Sequence, residues 1–386
     1  MMSMPTPEPA ALAHSAKLRA AIHRRIEASG GWISFADFME MALYAPGLGY
    51  YVAGAQKFGA AGDFVTAPEL TPLFAAALAR QAAEIMRMSA PCILEAGAGS
   101  GRLAVDMLRA LEAADALPTR YDILELSPEL AARQRQTFMR EAPRLLARVN
   151  WQSSLPARFS GLVLANEVLD AMPTHRALWQ NDDILEYGVA RAADDGFLWQ
   201  TRPASARLRA AARRIADAGA LPSGYVSEIS LLAPAWVAAW GERLTTGCLL
   251  LADYGFPRRE FYHPDRDGGT LMCHYRQYAH PDPFHLPGLQ DISAHVDFTA
   301  LIAAAHPAGL NLAGYTHQAQ FLLNCGLLDD LAALEAGSPA YLWQASAAQK
   351  LIAPHEMGEL FKVMALGKNL SAPLSGFLCG DKSCQL

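Results

Sequence analysis

Ile93-Leu94-Glu95-Ala96-Gly97-Ala98-Gly99-Ser100-Gly101 is the stretch on which the fold turns. An apolar run closes on an acid, meets three glycines at alternate positions, and continues from Arg102 with helical character. Strand, glycine turn and helix in that order open a parallel sheet covered by helices; the glycines let the backbone bend sharply and let a ligand lie against it. In the dinucleotide fingerprint G-x-G-x-x-G the third glycine would stand at position 102, where this chain has Arg102, so nicotinamide and flavin are disfavoured. Outward from this stretch the same alternation continues. Apolar runs at 121–126, weakly 149–151, 162–165 and 248–252 are separated by helical stretches at 102–113, 128–140 and 231–244. The expected fold class is α/β.

A G-x-G-x-G turn suits a ligand without a pyrophosphate. It is similar to the turn of Rossmann-like class I methyltransferases, and that similarity implies S-adenosyl-L-methionine as cofactor. The cofactor positions expected on the first strand and its turn are Glu95, Gly97, Ala98, Gly99 and Gly101. Glu125 ends the second apolar run, 24 residues beyond Gly101. That is close to the offset of roughly 20 residues at which an acid meets ribose hydroxyls in this topology; the alternative is a surface acid ahead of the helix begun by Ser127-Pro128. Leu126 beside it is a further expected cofactor position. Where the 162–165 run leaves the sheet, Asn166, Glu167 and Asp170 project toward the place of the transferred methyl, because open α/β sheets bind ligands outside the carboxyl ends of their strands. These three are the first candidates for catalysis, with Asn166 also facing the cofactor and helix capping as the alternative for Asp170. Ahead of the core, Asp63, Phe64, Thr66 and Glu69 lie on an aromatic, glycine-rich loop. It reads as a cofactor lid over Tyr50 and Tyr51, or as an aromatic mini-core.

The chain has 386 residues, 52% of them hydrophobic and 18% charged, which excludes disorder as its class and supplies about two to three domains' worth of core. With 32 basic against 38 acidic residues the net charge is -6, which gives no electrostatic drive toward nucleic acid. The best apolar stretch, 229–240, is short and holds Pro234, so no membrane span is expected. No secretory pattern opens the sequence, and six scattered cysteines without a C-x-x-C pair suit a reducing compartment, so the expected location is cytoplasmic. The expected organisation is a loose leader over 1–16; helices and the lid loop over 17–90; the methyltransferase core over 91–255, with a helical insertion at about 203–220; and a rim loop and C-terminal elaboration over 256–386. Helices are expected at 73–86, 204–218, 298–305 and 318–331, and a late strand at 361–366. Five histidines, His263, His274, His280, His285 and His295, crowd the rim loop, but their separations of 11, 6, 5 and 10 match no ligand spacing, so no metal is expected.

Several blocks together are specific. Glu95–Gly101, Glu125-Leu-Ser-Pro128, Ala165-Asn-Glu-Val-Leu-Asp-Ala-Met-Pro173 and Gly62-Asp-Phe-Val-Thr-Ala-Pro-Glu69 resemble the MidA family. So do Gly49-Tyr-Tyr51, Ser227-Glu-Ile229, Asp253-Tyr-Gly255, Asp291–Phe298, Gln318–Phe321 and Lys362–Lys368, so the likeness runs from about residue 17 to 381. The resemblance implies S-adenosylmethionine-dependent methyl transfer. For the mitochondrial branch it implies a protein substrate, an arginine of the 49-kDa NADH dehydrogenase (complex I) subunit. The Thr-His-Trp loop of the larger group of arginine methyltransferases is absent, the nearest string being Thr316-His317-Gln318. For a guanidinium acceptor, two carboxylates can fork onto two nitrogens and sharpen the third as nucleophile. Glu167 and Glu228 are the expected pair, with Asp170 as spare proton acceptor; a capping or solvated role is the alternative for Glu228. Two other readings compete: a cofactor-binding assembly chaperone without turnover, and a small-molecule methyltransferase.

Overall fold

The computed structural model describes residues 4–53, 66–181, 183–217, 219 and 221–386. Two compact units are formed. One comprises Val65–Val168, Trp236–Gly255 and Phe298–Leu386; the other comprises Met1–Phe64, Leu169–Ala235 and Phe256–Asp297.

The first unit holds the expected parallel sheet. Its strands are β1 (Cys92–Ala96), β2 (Arg120–Leu124), β3 (Val149–Gln152), β4 (Phe159–Asn166), β5 (Leu244–Phe256), β6 (Asn311–His317) and β7 (Phe361–Lys368), in the spatial order β6-β7-β5-β4-β1-β2-β3. β3, β2, β1, β4 and β5 are mutually parallel, whereas β7 runs antiparallel to both β5 and β6. Helices α1 (Pro72–Met88), α2 (Arg102–Ala113) and α3 (Pro128–Glu141) cover the sheet, and the inner residues of strands and helices merge into one core that includes Ile93, Ile123, Leu164, Leu250, Phe74, Leu108 and Phe138. Continuous apolar strands such as 162–165 are what a sheet buried on both faces requires. The helix expected over 318–331 is instead two, Gln318–Asn324 and Leu327–Ala332, because Gly326 takes φ +78 between them and ends the first turn sequence. Pro339–Ile352 is a further helix, begun by a Ser338 cap that accepts from Tyr341 N–H.

The second unit is built on antiparallel pairing. Strands Ile33–Ser34, Asp183–Arg191, His175–Gln180 and Tyr225–Ile229 are neighbours in that order, and Phe197–Pro203 pairs with Asp183–Arg191. The helix expected at 204–218 is present as Ala206–Ala216 and lies on this sheet, which the sequence reading did not include. Ala206–Ala216, capped by Ser205, buries Leu208, Ala212 and Ile215 against Ala177, Trp179 and Tyr225. The sequence hides these strands because polarity does not alternate with burial along them: in Phe197–Pro203 the apolar Leu198 faces outward, and in Asp183–Arg191 the charged Glu186 is buried. The first helix spans Pro9–Ala28 and so begins ahead of the expected start at residue 17; a proline in the first turn costs no hydrogen bond there and presets the helical φ. Leu18, Ile22 and Ile26 are its buried face, as their spacing predicts. Tyr50 belongs to an aromatic core with Phe35 and Phe38, and Tyr44 stacks on Tyr51 at 5.6 Å.

Among the described residues no helix is long and apolar enough to cross a membrane.

Candidate active site

The carboxyl edge of the sheet is extended by one residue past three of its strands. Gly97 N–H donates to the Leu124 carbonyl, Glu125 N–H to Gln152 and Glu167 N–H to Ala252, at 3.0, 2.9 and 2.9 Å. The ladder thus continues one step beyond β1, β2 and β4, placing the glycine turn and the two acids in a single row. Three positions that the sequence links only by offset are neighbours on one edge.

At the turn after β1 the backbone is left-handed at Gly97 (φ +64), Gly99 (φ +52) and Gly101 (φ +82). Crowding adds to the conformational requirement. A Cβ on Gly97 would lie 3.1 Å from a Val168 methyl, and one on Gly101 3.3 Å from the Gln134 backbone. The turn is held from below by α3: Thr137 donates to the Ser100 carbonyl at 2.9 Å and the Gln134 amide to the Gly99 carbonyl at 3.1 Å. From the side, the Ser100 hydroxyl donates to Glu69, the described acid of the expected lid. Thr66 opens the short helix Ala67–Leu70 without a side-chain capping bond; Asp63 and Phe64 lie outside the described residues.

Both oxygens of Glu125 accept from neighbouring donors. Ser127 N–H reaches one carboxylate oxygen at 2.9 Å and the Gln134 amide the other, also at 2.9 Å. A carboxylate oxygen accepts more than one donor, so this acid is chemically suited to a ribose hydroxyl. Leu126 next to it is 70% exposed, an apolar side chain open at the sheet edge beside the acid. Asn166 donates to Glu167 at 3.1 Å while its own Oδ1, buried, has no hydrogen-bond partner among the described residues. Left-handed glycines, a doubly oriented carboxylate, a bare leucine and an orphaned amide oxygen fit a nucleoside-bearing amino acid such as S-adenosylmethionine.

Gln134 carries no motif of its own in the sequence. Fully buried, it ties Gly99, Glu125 and the Trp151 indole, whose N–H reaches Oε1 at 2.9 Å. Its only trace in the chain is a polar residue on the buried face of an amphipathic helix. Gln134→Leu should weaken S-adenosyl-homocysteine binding about tenfold in calorimetry, since about 1–2 kcal/mol is the usual worth of orienting bonds of this kind.

Glu95, at the end of β1, is 3% exposed and accepts the Tyr121 hydroxyl at 2.7 Å. Burial lifts its pKa to about 7, partly countered by the Tyr121 bond and reinforced by Glu125. A carboxyl raised above its unfolded value makes the folded state hold the extra proton, so stability declines as pH rises from about 4.5 to about 7. Glu95→Gln, which keeps an acceptor for Tyr121, should flatten that decline. By urea denaturation the variant should gain on wild type across this window by at most about 3 kcal/mol, because each pH step between the unfolded and folded pKa values is worth about 1.4 kcal/mol.

Asp170 and Glu228 belong to the second unit. Asp170 is 7% exposed. Burial first, and then the charges of Asp291 and Asp170, raise the pKa of the Tyr51 hydroxyl, which itself donates to Asp291 at 2.8 Å. Glu228 is 1% exposed on strand Tyr225–Ile229; it accepts Thr270 N–H at 2.6 Å and faces the Arg176 Nε at 3.6 Å. Burial raises its pKa, opposed by the Thr270 bond and by Arg176. One of its oxygens, Oε1, has no hydrogen-bond partner among the described residues.

Residues 77–316 match the family described as "Putative S-adenosyl-L-methionine-dependent methyltransferase". A protein from Burkholderia thailandensis, crystallised with S-adenosyl-homocysteine bound, is 47% identical to this chain and superposes with a TM-score of 0.95 over 100% of both chains. Among curated proteins, the rat mitochondrial protein arginine methyltransferase NDUFAF7 is 28% identical over 427 residues, covering 98% of this chain and 90% of its own. The mouse protein of that name is 29% identical, covering 88% and 81%. An edge shaped for S-adenosylmethionine, and a family match over most of the chain, lead to one conclusion: the chain belongs to this family of S-adenosyl-L-methionine-dependent methyltransferases, and its cofactor is S-adenosylmethionine.

Proposed function

We propose that this methyltransferase acts on an arginine side chain of a protein, a respiratory NADH dehydrogenase (complex I) subunit of the 49-kDa type. The observation that carries the arginine reading is Glu167. It is a carboxylate at the carboxyl end of β4, one ladder step beyond the sheet, in the same row as Gly97 and Glu125. The protein arginine methyltransferase names of the rat and mouse relatives support the acceptor class.

A guanidinium, with a pKa above about 12, is a poor nucleophile while its charge is spread over three nitrogens. The Glu167 carboxylate can accept from two of its N–H groups, localise positive charge on them and leave the third nitrogen richer in electrons. When bound, the cofactor supplies an electrophilic methyl whose S–C bond breaks as the new N–C bond forms. Holding that third nitrogen in line at about 3–3.5 Å is the protein's main contribution. Glu228 as a second carboxylate and Asp170 as acceptor of the departing proton belong to the same proposal. So does a reducing, cytoplasmic setting, which six free cysteines support.

The test is incubation with methyl-labelled cofactor and a lysate from a strain lacking the gene, followed by mapping of labelled peptides. Label on an arginine of the 49-kDa-type subunit is the expected result. Label only in non-protein products would transfer the protein to the small-molecule methyltransferases, and no label in any fraction would favour an assembly chaperone that binds cofactor without turnover.

A further inference from the structure

Glu167 has φ +52, a left-handed conformation that side-chain-bearing residues rarely adopt. Such a residue persists only where its surroundings over-determine it, and the surroundings here converge on one group. Asp253, near the carboxyl end of β5, is fully buried. One of its carboxylate oxygens accepts Val168 N–H at 3.2 Å, and the other accepts Tyr254 N–H at 2.9 Å. Val168 N–H is the first backbone donor after Glu167, and the Val168 methyl is the atom that lies against Gly97 of the cofactor turn. On the other side, Glu167 N–H is already committed to the carbonyl of Ala252, the residue before Asp253. The peptide groups flanking Glu167 are thus gripped by two consecutive residues of β5. The N–H before its Cα goes to a carbonyl, and the N–H after it goes to a carboxylate.

We propose that Asp253 is a positioning residue for methyl transfer: its carboxylate, through Val168 N–H, holds Glu167 in the left-handed conformation that aims it off the sheet edge, and seats Val168 against the glycine turn. This rests on the reading of Glu167 as the acid that meets the acceptor. A neutral acceptor side chain could satisfy one of the two N–H groups but not both, because an amide presents an NH₂ to the second. The charged, two-acceptor carboxylate is therefore what the position requires.

The test is Asp253→Asn, measured in two backgrounds. Glycine adopts positive φ freely, so in Glu167→Gly the turn no longer needs holding. The urea midpoint lost through Asp253→Asn should then be less than half of that lost in the native background. With Glu167 present, labelled methyl transfer at saturating cofactor should fall at least thirtyfold, while S-adenosyl-homocysteine affinity stays within about fivefold. A side chain that merely stabilises the end of β5 would cost the same in both backgrounds. Equal losses, or transfer within threefold of wild type, would overturn the assignment. Folding of Asp253→Asn only when residue 167 is glycine is the supporting result in stronger form, and failure to fold in both backgrounds counts as equal loss. The underlying reading fails differently: Glu167→Gln would then retain transfer, whereas failure of the positioning role leaves Glu167→Gln inactive and Asp253→Asn active.

Discussion

Glu167→Gln should lower methyl transfer by at least about a hundredfold while leaving S-adenosyl-homocysteine affinity within about threefold. The substitution is nearly isosteric. Glutamine tolerates φ +52 no better than glutamate, so the backbone cost of the turn is common to both proteins. Its amide oxygen can still accept from Asn166, which donates to Glu167 at 3.1 Å, so the local bond survives. What disappears is the negative charge. A charge-assisted hydrogen bond is worth about 1.5–3 kcal/mol, and two to one guanidinium give roughly 3–6 kcal/mol of orientation and charge localisation. At about 1.4 kcal/mol per tenfold, that is two to four decades in rate. Calorimetry with S-adenosyl-homocysteine on the same preparation separates lost chemistry from a lost site. Transfer within a few-fold of wild type would remove Glu167 from the reaction.

Glu125→Ala should act on binding. The carboxylate is held by Ser127 N–H on one oxygen and by Gln134 on the other, so little ordering remains to be done when a ligand arrives. Preorganised acceptors give up less entropy on binding than mobile ones. Two hydroxyl donors to a carboxylate, discounted for the partial exposure of this side chain, amount to roughly 2–4 kcal/mol, a loss of about 30- to 1000-fold in S-adenosyl-homocysteine affinity. Removing Glu125 also leaves the Gln134 amide without one acceptor, which works in the same direction. Affinity within threefold of wild type would show that the ribose is gripped elsewhere. With Glu125 as a cofactor-binding group, any transfer that remains should recover at high cofactor concentration, whereas Glu167→Gln should not.

Much of this site is legible along the chain because its parts are local. The strand, alternating glycines and helix of 93–113 declare themselves by composition: left-handed turns admit glycine almost alone, and apolar runs mark strands buried on both faces. Glu125 follows from its offset, and Asn166 and Glu167 from standing where a strand ends. Gln134 is hidden, since a glutamine on a helix carries no signal until the turn, the acid and Trp151 are seen around it. Strands 175–203 are hidden because polarity and burial part company in them, Leu198 being exposed and Glu186 buried, and the late helix Pro339–Ile352 because its apolar residues are spread around its circumference.

The sequence by itself determined the α/β class, the cofactor turn and the row of acids, because each rests on bonds between residues close in the chain or on the invariant geometry of parallel strands. Only the tertiary structure decided that Glu167 is left-handed, that Asp253 from a strand 85 residues later grips the next peptide, and that Glu228 accepts from Thr270 and faces Arg176. Those outcomes depend on which buried donor meets which acceptor once the strands are laid side by side. A linear pattern does not encode that choice.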